Sequence, residues 1–253
     1  MGFTQLYETF SALEDPGFWQ NAYIQFYNAW FYKDRWMMYF EGLLTTIQVT
    51  VMALALGVVL GVLVAMIRTA HDQQRPGNRN PFLGILDFLC KIYVTVIRGT
   101  PMMVQLLIMG LVIFASNRNK TMIGALSLGI NSGAYVAEII RGGLMSLDPG
   151  QMEAGRSLGL GYLDTMRFIV IPQAFKAILP SLGNEFITLL KDTSLINVIG
   201  GKEVVYFAQA IITNTYKPMM PYIIIAVMYL IMVLIFTWLQ SKLERRLRQS
   251  DRR

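Results

Sequence analysis

Cysteine and histidine are almost missing from this chain: of 253 residues, only Cys90 and His71 are of these types. One cysteine closes no internal disulfide, and no zinc or iron–sulfur spacing exists, so Cys90 reads as a small apolar residue near a span end. A lone histidine excludes a histidine-based metal or catalytic centre, and His71, in a basic loop, is expected to be solvated. Charge is scarce as well, at 15% of residues where soluble domains carry about 25%. GxxxxGK[ST] is missing, so the chain has no P-loop route to a nucleotide. No single segment collects a nucleophile, a base and an acid.

What is present is apolar. Hydrophobic residues make up 54% of the chain and mean hydropathy is +0.45. Residues 42–67 and 218–241 contain no charged side chain, and each exceeds the ~20 residues a helix needs to cross a ~30 Å hydrocarbon core. Five spanning helices are expected, over 42–67, 88–114, 121–145, 177–199 and 218–240. The middle three are less clean, with Arg98, Glu138, Glu185, Lys191 and Asp192 inside them. Backbone polar groups in lipid must bond internally, so the expected class is an all-α membrane protein.

Five spans put the termini on opposite sides, and basic residues choose which. Arg68, Arg75, Arg79 and Lys91, then Arg141, Arg156, Arg167 and Lys176, then the Lys242–Arg253 tail fall on one side. Lys33, Arg35, Arg118, Lys120, Lys202 and Lys217 fall on the other. The richer side is expected to be cytoplasmic, with the N-terminus outside and the C-terminus inside a bacterial plasma membrane. The net charge of +6 is then topology plus attraction to anionic lipid, and no nucleic-acid partner is expected.

Residues 1–40 hold fourteen of the thirty aromatic side chains, Trp19, Trp30 and Trp36 among them, interleaved with Glu8, Glu14, Asp15, Lys33, Asp34 and Arg35. Tyr and Trp favour the headgroup zone, so one or two helices on the outer interface are expected. The organisation expected is an interfacial segment 1–40, a transmembrane domain 41–245 and a basic tail 246–253.

Between the third and fourth spans, Asp148-Pro149 makes a helix start, with Asp as cap and Pro at the first helical position. Gly159 and Gly161 stop that helix, Asp164 offers a second cap, and Pro172 ends the apolar run that follows. Small residues at Ala154, Gly155, Gly159 and Gly161 would admit another backbone, and Glu153 presents a fixed charge. Spacing alone leaves open an ordinary re-entry loop held by its own caps.

The stretch EAGRSLGLGYLDTMRFIVIP, residues 153–172, resembles the EAA signature of ABC-importer permeases, EAA-x3-G-x9-I-x-L-P. Gly155 replaces the third Ala and Ile171 the Leu. The resemblance implies a type I ABC importer (MetI-like) permease fold in which 149–161 is the cytoplasmic coupling helix. Pro149, Glu153, Ala154, Gly155, Ser157, Gly159 and Pro172 are then the ATPase-coupling residues. SGAYVAEIIRGGLMSLDPGQMEAGRSLGL (132–160), VIRGTPMMVQLL (96–107) and LLKDTSLINVIG (189–200) resemble the polar amino-acid permeases, which import histidine, glutamine, glutamate, arginine and opines. Methionine and phosphonate permeases share the loop but match the other pieces less well. The partners implied are ABC ATPase subunits, a second permease chain (identical or related) and an external amino-acid-binding protein. No cofactor is expected on this chain; ATP and Mg belong to the ATPase.

Ionisable groups in spans are costly and usually face a cavity or a partner. Asn131, Tyr135 and Glu138 fall at i, i+4 and i+7 on one helical face, suited to an ammonium group. Arg98, before Gly99-Thr100-Pro101, suits an α-carboxylate, and Pro101 would free backbone groups to line a pore. Two readings stay open: Glu138 lines the pathway or is neutralised by Arg141, and Arg98 lines it or snorkels to headgroups. Lys191, Asp192, Thr193 and Ser194 either line the pathway or contain a self-neutralising pair. Arg98, Thr100, Asn131, Tyr135, Glu138 and Lys191–Ser194 are the substrate-pathway candidates. Two other classes compete with a permease: an intramembrane hydrolase with a Lys191–Ser194 dyad, and a secondary transporter, which the missing internal repeat disfavours.

Overall fold

The computed structural model describes residues 2–74 and 80–250, the side chains of 248–250 excepted. Arg75 and Arg79, and the end of the basic tail, lie outside the described residues. Helices build everything described. The helix α1 (Phe3–Ser11) pairs with α2 (Phe18–Trp30), and α3 (Arg35–Asp72) follows. Next come α4 (Pro81–Gly99), α5 (Met102–Leu107) and α6 (Lys120–Met145). The remaining helices are α7 (Gly150–Ser157), α8 (Tyr162–Thr165), α9 (Ile171–Asp192), α10 (Val204–Thr215) and α11 (Met219–Ser250).

Three helices are long and apolar enough to cross a membrane unaided: Tyr32–Asp72, Lys120–Met145 and Met219–Leu247. Two bent pairs, Pro81–Gly99 with Met102–Ile113 at 106° and Tyr162–Ile199 with Val204–Thr215 at 47°, give five spans if each pair crosses as one. That count matches the hydropathy; the two bends were not expected. The second span begins at Pro81, where Asn80 caps it by accepting from the Phe82 N–H, so Cys90 is buried mid-helix rather than near an end. Residue 40 falls inside α3, making the aromatic segment continuous with the first span.

The central helix is α6, with 67% of its apolar window buried against 28% for α3 and 22% for α11. It is held there by small residues. The face of α3 carrying Gly42, Thr46, Val49, Thr50, Ala53, Gly57, Gly61 and Ala65 is buried, at spacings of three and four that keep one stripe aligned. At Gly57 an added Cβ would lie 2.7 Å from Ser132 Oγ, and at Gly61 2.5 Å from Val136 Cγ1. Two helices approach this closely only through small residues, the usual device for packing in lipid.

Beyond α5 the chain widens into a π-helical turn, Ile108–Ile113, and Lys120 Nζ donates to the carbonyls of Gly110 (2.6 Å), Phe114 and Ala115. The ammonium thus serves carbonyls that have no intrahelical donor at the helix end. A second π-helical turn, Met166–Val170, precedes α9. Pro172 has no N–H for a carbonyl four residues earlier, and the widened turn absorbs that loss. Helix therefore continues from Tyr162 to Ile199, correcting the expectation that Pro172 ends its apolar run.

Candidate functional site

The polar loop between α6 and α9 is α7 plus a sharp turn. Asp148 Oδ1 accepts from the Gly150 N–H at 2.8 Å, so the cap sits as expected, although helix begins at Gly150 rather than Pro149. Glu153 lies in the first turn, toward the positive end of the helix dipole. At the other end the Gly159 N–H reaches Arg156 O at 2.9 Å and the Leu160 N–H reaches Gly155 O at 3.1 Å. This is a Schellman closure, and Gly159 supplies its left-handed residue at φ +79°. Gly161 is the extended residue that starts α8, with Asp164 inside the first turn rather than capping it.

The expected roles divide within this loop. Glu153, Ala154, Ser157 and Gly159 are exposed, but Gly155 is buried. A Cβ there would collide with the Thr165 side chain, so Gly155 admits α8 of its own chain rather than a partner. This gives a steric reason for glycine where the signature has alanine. Leu158 and Leu163, 79% and 78% exposed, stand out beside Tyr162 and Phe168, an apolar face that the motif's spacing did not single out. The loop is tied back twice: Gln173 Nε2 donates to Gln151 Oε1 at 3.0 Å, and the Tyr162 hydroxyl donates to Gln73 Oε1 at the end of α3.

A second constellation lies where α3, α4 and α6 meet. The Glu138 carboxylate receives Arg68, pairs with Arg141 at 3.3 Å and stands 3.7 Å from Arg98. The Arg98 guanidinium, 43% exposed, lies over the Tyr135 ring, 5.2 Å from its centroid, on the side of this cluster. Behind it Asp87, with a side chain 3% exposed, pairs with Lys91 at 2.6 Å, and His71 Nδ1 lies 3.3 Å from it without a hydrogen bond. His71 is therefore packed against a buried carboxylate, not solvated. Arg68, Lys91, Val94, Thr95, Arg98 and Glu138 line a cavity of about 240 Å³. Three guanidinium groups around one carboxylate leave positive charge facing it, and Arg98 and Lys91 are its most exposed ends.

Thr100 and Asn131 lie apart from this cavity and hold the bend between α4 and α5. Gln105 Nε2 donates to Ile97 O, Thr100 O and Thr100 Oγ1, and its Oε1 accepts from Asn131 Nδ2 at 3.0 Å. Carbonyls freed by Pro101 are thus satisfied by one amide, and Asn131 positions that amide. Gln105 received no role from the sequence; a glutamine four residues after an in-span proline was the available signal.

The Lys191–Ser194 set sits elsewhere again. Lys191 and Ser194 line a cavity of about 340 Å³ with Tyr222 and Tyr229, while Thr193 is fully buried and bonded to Leu190 O. Among the described residues no ion pair joins Lys191 to Asp192. The Ser194 hydroxyl donates to the Lys191 carbonyl at 2.7 Å, not to an amine, so the dyad geometry is not formed. Among the described residues no group of three or more His, Cys, Asp or Glu is placed to hold a metal.

Residues 78–249 match a family model described as binding-protein-dependent transport system inner membrane component. The arginine transport system permease protein ArtQ of Bacillus subtilis is 36% identical over 214 residues, covering 83% of this chain and 93% of its own. The glutamine transport system permease protein GlnP of Escherichia coli K12 is 36% identical over 212 residues, covering 82% and 92%. A crystal structure of an amino acid ABC transporter with histidines superposes at TM-score 0.74 with 42% identity, covering 83% and 94%. The MetNI methionine ABC transporter in an inward-facing conformation gives 0.69 at 17% identity, a likeness of fold.

Proposed function

The chain belongs to the binding-protein-dependent transport system inner membrane components, and from that premise we propose that it is the membrane-spanning permease subunit of an ATP-driven importer of polar amino acids. The observation that carries this reading is the loop Asp148–Phe168. A capped, Schellman-closed helix stands out from the spans with Leu158 and Leu163 exposed, and it is bonded back to α9 and α3. Such a unit transmits displacement. A partner ATPase gripping the apolar face moves α7, and the Gln151–Gln173 and Tyr162–Gln73 bonds carry the motion into two spans. ATP and Mg are supplied on that partner, and an external binding protein delivers the solute to a pair of permease chains.

The pathway candidates divide by role. Arg98, with Tyr135 at its side and Glu138 holding it, presents a cation suited to a substrate carboxylate. Glu138 keeps three guanidinium groups together, so structural pairing and pathway lining are one arrangement rather than alternatives. Asn131 and Thr100 support the bend, and Lys191 and Ser194 line a separate cavity. The names of the similar permeases support an amino-acid substrate. The charge asymmetry supports a multi-pass orientation with the N-terminus outside and the coupling loop in the cytoplasm. We assign residues 1–40 to the interface, 41–245 to the transmembrane domain and 246–253 to the tail.

The test is reconstitution into proteoliposomes with the ATPase and the binding protein. Uptake of radiolabelled arginine, glutamine or histidine should require internal ATP and all components. Uptake driven by an ion gradient with this chain alone would overturn the reading in favour of a secondary transporter.

A further inference from the structure

The described residues contain three non-glycine positions with left-handed backbone, Lys33, Asp34 and Tyr216, and all three flank one notch. Such residues cost about 1 kcal/mol or more each and persist where surrounding structure requires them. Lys33 and Asp34 interrupt the chain between Tyr32 and Arg35; Tyr216 sits between Thr215 and Lys217. Those four neighbours line a cavity of about 310 Å³ between the α1–α2 hairpin and the α10–α11 turn, with Tyr7, Asn28 and Asn214 completing much of its wall. The hairpin reaches this place through an aromatic ladder: Phe3 stacks on Phe31, Tyr7 on Tyr27, and Phe10 meets Tyr23 edge-on. Its α2 face joins a core with Tyr39, Val204, Ile211 and Ile224 from α3, α10 and α11.

The chemistry of the notch is one-sided. It contains two cations from opposite ends of the chain, amide and phenol donors, and no carboxylate among its lining residues. Among the described residues neither Arg35 nor Lys217 has an ion-pair partner. Arg35 is anchored by donating to Asn28 O and lies over the Tyr32 ring at 5.1 Å, which fixes the direction of its remaining donors. An anchored guanidinium and an exposed ammonium with neutral donors between them suit a phosphate.

Height selects the source of that phosphate. Arg35 is the first residue of α3 and Lys217 lies just ahead of α11, so both stand where apolar spans leave the hydrocarbon. Below them Met37, Phe40 and Leu44 on α3, and Met219, Tyr222 and Ile223 on α11, are exposed apolar side chains that acyl chains would cover. We propose that the notch holds the phosphate of an anionic phospholipid, which joins the N-terminal hairpin to the α10–α11 turn. The proposal rests on the membrane-spanning reading but not on which side faces out, nor on the transported solute.

The test uses the intact transporter complex in mild detergent, with retained phosphatidylglycerol measured by native mass spectrometry during stepwise delipidation. Lys217→Gln should lower the retained lipid about fivefold, as expected for one basic contact at a lipid surface, and Arg118→Gln should not. Arg35→Lys, which keeps the charge but not the directed donors, should retain more lipid than Arg35→Gln and less than wild type, and an unchanged thermal midpoint in Lys217→Gln separates lost binding from lost folding. Equal lipid in wild type and Lys217→Gln overturns the proposal. Displacement of the lipid by soluble glycerol phosphate overturns it in favour of a free anion. Unchanged lipid with weakened capture of the binding protein overturns it in favour of a protein carboxylate. Loss of lipid in Lys217→Gln from a complex that shows no ATP-driven transport would support the notch and count against the importer reading alone.

Discussion

The proposed coupling loop draws its residues from one continuous stretch, 149–172, whereas the charged cluster takes Arg68 from α3, Asp87, Lys91 and Arg98 from α4, and Glu138 and Arg141 from α6. The first is held by its own caps: Asp148 at one end, Gly159 at the other, and the Gly155–Thr165 contact closing the turn. The second has local pairs in Lys91–Asp87 and Arg141–Glu138, but only tertiary packing brings Arg68 and Arg98 to the same Glu138 carboxylate. A local device tolerates changes elsewhere in the bundle and fails at one or two backbone positions. A composite device fails wherever one of its charges is removed, because the unmatched charges remain in a poorly solvated place.

The sharpest way to break this contrast is Gly159→Asp. No atom lies within 4 Å of a Cβ at that position, so the cost is conformational, about 1–2 kcal/mol for a side chain in the left-handed region. The variant should insert and fold, yet lose more than about tenfold of its substrate-stimulated ATP hydrolysis, as misplacing a coupling element does. Glu153→Lys should follow it with a smaller loss, since it only reverses charge near the helix start. A fully active complex co-purified from Gly159→Asp would remove 149–161 from the coupling role.

Glu138→Gln tests the composite side. Loss of the carboxylate leaves Arg68, Arg98 and Arg141 facing one another, and stability in detergent should fall by about 2 kcal/mol, below a fully buried pair because Arg98 and Arg141 are partly exposed, while ATPase docking survives. Adding Arg141→Gln should restore only part of it, because two guanidinium groups remain. Full recovery in the double variant would reduce the cluster to a local Glu138–Arg141 pair. Unaltered transport and stability in Glu138→Gln would remove Glu138 from the site.

Smaller effects are expected at the bend. Gln105→Leu leaves the carbonyls of Ile97 and Thr100 without the amide, a loss of about 1–3 kcal/mol, and should slow transport while the complex still assembles. Asn131→Ala, which only releases Gln105 Oε1, should cost less; the opposite order would mean that Asn131 contacts solute directly. Smallest of all should be the functional effect of single cysteines at Asn119 or Ser146, both exposed, in a Cys90→Ser background. Transport should be unchanged, with an impermeant reagent labelling Asn119→Cys but not Ser146→Cys in intact cells. The reverse pattern would invert the orientation on which the cytoplasmic placement of the loop depends.

Hydropathy made the spans legible, since 42–67 and 218–241 exceed the length of a buried soluble helix, and the charge asymmetry is the basis of the orientation proposed for them. The loop was legible to the same depth, because caps, glycine stops and the EAA spacing are short-range features. Less of the rest was open to reading. α10 went unrecognised because Val204–Thr215 is twelve residues long, too short to cross alone. His71 looked solvated because its sequence neighbours are polar, while the residue that takes it up, Asp87, comes from the next helix.

The sequence by itself determined that this chain spans a membrane, roughly where it crosses, and which segment carries a helix–turn unit fit for coupling. Those properties depend on apolar run length, on dihedral preferences at Gly159, and on donors within a few residues of their acceptors. Only the tertiary structure decided that Arg68 and Arg98 share Glu138, that Gly155 serves its own chain, and that Gln105 with Asn131 mends the break at Pro101. It also brought Arg35 and Lys217 into one notch. Each of these brings together groups from different turns or helices, set by how closely α3 packs on α6 or where α2 lies against α10 and α11. Packing of that kind follows from the fit of many small residues at once, and no spacing within a single segment encodes it.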